Sequence, residues 1–121
     1  MSRNKNHLAS VRKFCLSLPE VEEFEAMGTI KFQIKGKGFA IYAENHHGDG
    51  RLGLWLKSTF DRQEILLEFD PDRFFKPAYV GARGWIGLHL EKFSDTEMKE
   101  QIREAYKLVA PDKLLRKINR I

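Results

Sequence analysis

The feature that most constrains the fold is a two-residue alternation that runs into a glycine turn. Between Thr29 and Lys35 every second residue is apolar and the residues between are polar. This period places apolar side chains on one face of a strand and polar side chains on the other. Glycines at 36 and 38 then allow a tight turn, and residues 39–43 return as an antiparallel partner. The segment 29–43 therefore predicts a half-buried β-hairpin.

Further patterns extend this hairpin into a sheet flanked by helices. Helical spacing of apolar residues predicts an amphipathic helix over about 5–18, and the acidic stretch 20–25 is interpreted as its link to the first strand. The elements predicted after the hairpin are a strand at 52–57, a helix at 60–68 and strands at 74–79 and 85–90. A further helix is predicted after a capping box of Ser94 and Glu97, and a short basic segment follows at 111–121. The apolar face of that helix consists of Met98, Ile102, Ala105 and Val109. The order α-β-β-β-α-β-β-α predicts an α+β domain: an antiparallel sheet of about five strands with the terminal helices packed on one face.

Length and composition indicate one domain over residues 1–121, because a chain of this size supports one hydrophobic core. No apolar run approaches the roughly 20 residues that cross a bilayer, and the polar start lacks the apolar segment of a secretory signal. A single cysteine, Cys15, fits a reducing compartment. We therefore expect a cytoplasmic protein without membrane attachment, and a monomer is favoured.

Positive charge is concentrated at the two ends and in two hairpins. The formal net charge is +4, yet every Asp and Glu lies within residues 20–112. Inside that acidic middle, the segments 26–43 and 73–90 contain Lys or Arg but no acid. A local surface for a polyanion is therefore a better hypothesis than attraction by the whole protein.

If the helices cover the apolar side of the sheet, the alternation predicts what the opposite face carries. The predicted face consists of Lys31, Gln33, Lys35, Ala40, Tyr42, Gly53, Trp55, Lys57, Trp85, Gly87 and His89. One interpretation is a nucleic-acid surface, since lysines neutralise phosphates and exposed aromatics stack on bases. A second is a small-ligand or protein-interaction module with Tyr42, Trp55 and Trp85 as an apolar platform. The structural alternative is that strands favour aromatics and another part of the chain covers the tryptophans.

The sequence contains no recognisable catalytic or metal-binding constellation. Cys15 falls on the apolar face of the first helix, where a buried structural thiol is expected. The loop residues His46, His47 and Asp49 are too close in sequence to converge readily on one ion. The acids of 20–25 lack the spacing of a calcium loop. We therefore expect no enzymatic activity, no cofactor and no metal.

A resemblance to a known family is carried by Phe74-Phe75-Lys76-Pro77-Ala78-Tyr79 followed by Gly84-Trp85-Ile86-Gly87-Leu88, and by the segments 18–23, 36–40, 54–57 and 104–109. The resemblance is to the MmcQ/YjbR family of small bacterial proteins. It covers about 8–110 and implies a CyaY-like (frataxin-like) α+β fold. It also implies that family's proposed role, DNA binding through two β-hairpin wings, which correspond here to 29–43 and 74–90.

This resemblance turns the basic hairpins into a set of candidate contacts. The implied nucleic-acid-binding residues are Lys31, Lys35, Lys37, Lys57, Lys76, Tyr79, Arg83 and Trp85. The iron-binding use of the frataxin-like fold depends on an acidic first helix, whereas Arg12 and Lys13 lie in this one without an acid. The prediction is therefore a non-enzymatic DNA-binding protein.

Overall fold

Four helices and six strands make up the computed structural model, which describes residues 6–118. In chain order they are α1 His7–Ser17, β1 Val21–Ala26, β2 Thr29–Ile34, β3 Lys37–Glu44, β4 Leu52–Leu56, α2 Phe60–Phe69, β5 Phe74–Phe75, β6 Ile86–His89, α3 Asp95–Val109 and α4 Asp112–Ile118. The strands form one antiparallel sheet in the order β1-β2-β3-β4-β6-β5. The predicted α+β class and antiparallel sheet are confirmed. The ends of the first predicted helix and of the basic segment 111–121 extend beyond the described residues.

The sheet has one strand more than the about five predicted, because the acidic stretch after α1 is a strand and not a linker. β1 pairs with β2 along its whole length, from Val21 opposite Ile34 to Ala26 opposite Thr29. It is an edge strand, where charged side chains reach water and protect the open edge. Glu23 also accepts two hydrogen bonds from the Arg12 Nε, at 2.8 and 3.0 Å, which ties β1 to α1.

The main core lies between one face of the sheet and the terminal helices, as the sequence predicts. Its fully buried members include Val11 and Cys15 of α1, Ile102 and Tyr106 of α3, and Leu114 of α4. The predicted capping box of α3 is present, with the Ser94 and Glu97 side chains each bonded to the other's backbone N–H. Such a box satisfies two backbone donors that the helix end leaves open.

The opposite face of the sheet carries a second, smaller apolar cluster. It consists of Ile41, Ala43, Trp55, Phe75 and Trp85. Trp55 is 4% exposed and Trp85 is 7% exposed, so the structural alternative, in which another part of the chain covers the tryptophans, is the one observed. Val80 of the loop between β5 and β6 packs against this cluster, and the His46 ring packs edge-on against Trp55.

The predicted orientation of β3 is also wrong. Ala40 and Tyr42 belong to the main core, and Ile41 and Ala43 face the other way. A β-bulge between Phe32 and Gln33 shifts the β2–β3 register at the start of β3. A bulge inserts one extra residue on one strand, which changes the face on which the following residues lie. Period-two reasoning from the first strand could not anticipate that change.

The second predicted wing, 74–90, is mostly loop. Only Phe74 and Phe75 of the predicted strand 74–79 pair in the sheet. Pro77 has no backbone N–H to donate to a ladder, which is one reason why the strand ends before it. Residues 76–85, named here the covering loop, then fold back over the second cluster before β6 begins.

Because the Phe75 ring packs on Gly87, a methyl group added at Gly87 should measurably lower the free energy of unfolding. A Cβ placed on Gly87 would lie 2.5 Å from a ring carbon of Phe75. Gly87→Ala should therefore lower the free energy of unfolding by about 2 kcal/mol, in the range of an overpacked core. Gly38→Ala is the matched control, since no atom lies within 4 Å of its added Cβ. Urea unfolding of both variants checks this, and equal midpoints for the two would contradict it.

Candidate nucleic-acid interface

One row of residues crosses four neighbouring strands on the face opposite the main core. Lys31 of β2 pairs with Ile41 of β3. Ile41 in turn pairs with Trp55 of β4, and Trp55 pairs with Gly87 of β6. Directly paired residues of antiparallel strands project to the same side. Lys31 therefore stands about 10 Å, or two strand spacings, from Trp55 on the same face.

Beside this row lies a groove, named here the basic groove. It is lined by Lys31, Lys37, Lys57, Val80, Arg83 and Trp85, with further apolar and polar residues. Lys31 and Lys37 belong to the first predicted wing, Lys57 follows β4, and Arg83 belongs to the covering loop. Among residues 6–118, no Asp or Glu lines the groove. Residues from three separate chain segments thus form one positively charged concavity.

The four groove cations are not among the basic side chains that form ion pairs in the described part of the chain. Within residues 6–118, no ion pair involves Lys31, Lys37, Lys57 or Arg83. By contrast, Arg73 pairs with both Asp70 and Glu97, at 2.8 and 2.9 Å. Paired charges are already neutralised, so the groove is a place where positive charge remains available to an outside anion.

The structure brings together five of the eight sequence-predicted contacts and separates the other three. Lys31, Lys37, Lys57, Arg83 and Trp85 line the basic groove. Lys35 is exposed outside its lining and lies 3.9 Å from the carboxylate of Glu20. Lys76 is exposed, with its aliphatic chain against Gly81. Tyr79 lies in a neighbouring pocket. The buried Trp85 supports the groove wall and offers no open ring face for stacking.

A buried glutamine holds the covering loop in place. The Gln63 Nε2 of α2 donates to the carbonyl oxygens of Gly81 and Trp85, at 2.8 and 2.7 Å. Both hydrogen bonds are buried, where an unpaired carbonyl is costly. Gly84, with φ +93°, packs against the Phe60 backbone in a conformation that favours glycine. Sequence reasoning missed Gln63, because nothing near it in the chain marks a glutamine as buried.

Next to the basic groove is a second concavity, named here the aromatic pocket. Its cavity volume is about 480 Å³. It is lined by Met27, Thr29, Lys31, Ile41, His46, His47, Trp55, Tyr79 and Val80. His46 packs edge-on against Trp55 with ring centroids 5.0 Å apart. The pocket therefore has a buried tryptophan floor and aromatic walls, and it shares Lys31, Ile41 and Val80 with the basic groove.

Tyr79 forms an exposed wall of the aromatic pocket, and its backbone is strained. Its φ and ψ are 59° and −73°, and the Val80 N–H donates to the Ala78 carbonyl at 2.6 Å. This is a γ-turn with positive φ at its central residue, the rare and strained form of that turn. The Tyr79 hydroxyl lies 3.3 Å from the His47 Nε2, which connects the covering loop to the β3–β4 loop. Strain of this kind is frequent at ligand sites, where it fixes a side chain in a required position.

The predicted apolar platform of Tyr42, Trp55 and Trp85 does not exist as one surface. Tyr42 lies on the main-core side, and its hydroxyl donates to Glu44 at 3.0 Å. Burial, together with that carboxylate, raises the pKa of the Tyr42 hydroxyl. Of the three rings, only Trp55 lines the aromatic pocket.

The described part of the chain shows neither a metal cluster nor a membrane-spanning helix. No group of three His, Cys, Asp or Glu within residues 6–118 could hold a metal ion. No helix in that range is both long and apolar enough to cross a bilayer. Cys15 is fully buried, and burial raises the pKa of its thiol, which makes it a poor nucleophile.

Comparison with known proteins supplies a family and a structural neighbour. A family model described as YjbR matches residues 16–108. This range includes every residue that lines the basic groove except Val109. The crystal structure of Deinococcus radiodurans protein DR2400, with the domain DUF419, is similar to this chain with a TM-score of 0.69 and 22% sequence identity. The similarity covers 84% of this chain and 76% of that one, and at such identity it shows the fold alone. No curated protein matches the sequence.

Proposed function

The chain belongs to the YjbR family, and from this premise we propose that it is a non-enzymatic DNA-binding domain with a CyaY-like fold. The observation that carries the proposal is the acid-free basic groove with its four unpaired cations. Phosphate contacts supply most of the affinity of proteins that bind DNA without sequence preference. The four cations of the groove, with no carboxylate in its lining, would supply these phosphate contacts.

In this proposal the two predicted wings contact DNA as the walls of one groove, and not as two separate hairpins. The first wing contributes Lys31 and Lys37 from β2 and β3, and the covering loop contributes Arg83. Lys57 adds a cation from the end of β4, outside both wings. A phosphate backbone therefore lies between the two segments and contacts them together, instead of meeting two projecting hairpins. Lys35 and Lys76, outside this lining, contribute little.

Salt dependence tests the proposal on the unmodified protein. Counterion release gives log K a slope against log salt of about −0.9 for each phosphate contacted on a duplex, so four contacts predict a slope of about −3.6. Fluorescence anisotropy with a labelled duplex, titrated at several salt concentrations, measures this slope. Absence of binding at low salt, or affinity independent of salt, would refute DNA binding through the groove.

A further inference from the structure

The aromatic pocket carries an inference about the form of DNA that is bound. It opens beside the basic groove, and Lys31 lines both concavities. We propose that one unpaired base of a DNA strand enters the aromatic pocket while the phosphates of that strand lie in the basic groove. This inference rests on the proposed DNA binding and adds a preference for single strands over duplexes.

The chemistry of the pocket suits a nucleobase. A base is flat and mostly apolar on its faces, and it stacks on aromatic side chains without regard to its identity. Tyr79 is 73% exposed and Met27 is 94% exposed, so their apolar surfaces are open to an incoming ring. The pocket volume of about 480 Å³ lies within the range of pockets that hold small molecules. The hydrogen bond between Tyr79 and His47 holds one wall in place before the base arrives.

The charges around the pocket favour binding of a base that is still part of a DNA strand. In the described part of the chain, no Asp or Glu lines either the aromatic pocket or the basic groove. Lys31 lies at the boundary, where a phosphate next to an inserted base would meet it. A paired base in a duplex must first leave its stack, which costs a few kcal/mol. An unpaired base enters without that cost, and so the pocket favours single strands.

The test compares three DNA probes of the same length, about 12 nucleotides: a thymine strand, an abasic strand and a duplex. The abasic strand keeps the phosphates and lacks the bases. The thymine strand should bind about tenfold more tightly than the abasic strand, on the scale of one stacked base. Tyr79→Ala should remove that advantage and leave the affinities for abasic strand and duplex within about twofold of their original values.

Two further variants keep the test decisive. His46→Ala removes a second wall of the pocket and should act in the same direction as Tyr79→Ala, since His46 packs against Trp55. Phe69→Ala removes another exposed aromatic ring, 80% exposed at the end of α2, and should leave all three affinities unchanged. If Tyr79→Ala weakened all three probes equally, or none, base insertion would be wrong while groove binding could stand. Failure of every probe to bind at low salt would refute both proposals.

Discussion

Lys57→Glu combined with Arg83→Glu should weaken duplex binding by about 100-fold at low salt. The two substitutions remove half of the cations in the basic groove and place two carboxylates where the lining has none. Losing two of four phosphate contacts should also reduce the salt slope from about −3.6 to about −1.8. Both side chains lack an ion pair within residues 6–118, so no carboxylate there loses its partner. Anisotropy titrations across a salt series measure both quantities.

A control with two charge reversals outside the groove separates the effect of the groove from the effect of net charge. Lys13→Glu combined with Lys99→Glu changes the net charge by the same amount, at two exposed positions on α1 and the first half of α3. Neither residue lines the groove, whose α3 residues, Leu108 and Val109, lie at the other end of that helix. This control should weaken binding only slightly and keep the original salt slope. Equal losses for the two pairs would show that overall charge, and not the groove, attracts the DNA.

The fold was predictable wherever a local pattern determined it. The alternation that ends at Lys35 fixed the first hairpin, and Ser94 with Glu97 fixed the start of α3, because both signals act over a few residues. β1 was missed because four glutamates in six residues suggest a solvated connector. An edge strand with one side open to water accepts such residues. Strand identity there depends on the neighbour β2, which no local pattern reveals.

The candidate site was predictable in its residue types and only partly in its geometry. The acid-free segments contribute Lys31, Lys37 and Arg83 to the groove. Lys35 and Arg73 of the same segments form ion pairs, and the phase of β3 depended on a bulge that the sequence does not mark. Both tryptophans are buried, as the structural alternative expected, in a cluster against which Val80 packs from the covering loop. Its path depends on a long-range contact from Gln63 to Gly81 and Trp85. Such a contact joins segments about twenty residues apart and leaves no periodic signal.

Gln63 holds the covering loop through this contact, although it does not itself line the basic groove. Its amide satisfies two buried carbonyls at once, and both belong to the covering loop that carries Arg83. Leucine has a similar size and cannot donate a hydrogen bond, so Gln63→Leu would remove the side-chain donor to the Trp85 carbonyl and leave the Gly81 carbonyl with the Gly84 N–H alone. A buried carbonyl that loses its donor costs about 1–3 kcal/mol, and the substitution should lower the free energy of unfolding by about 2 kcal/mol. Urea unfolding measures this loss.

Gln101→Leu is the matched control for Gln63→Leu. Gln101 also makes a side-chain hydrogen bond, accepting from the Arg62 Nη2 at 2.8 Å, but it is only partly buried. Water can replace its partner, and a loss below about 1 kcal/mol is expected.

Native-state hydrogen exchange adds a local measurement, because the Trp85 N–H donates to the Val80 carbonyl inside the covering loop. Gln63→Leu should accelerate exchange at Trp85 well before global unfolding, and DNA affinity should fall as Arg83 loses its fixed position. Unchanged exchange at Trp85, or equal destabilisation by the two glutamine substitutions, would mean that Gln63 does not hold the loop.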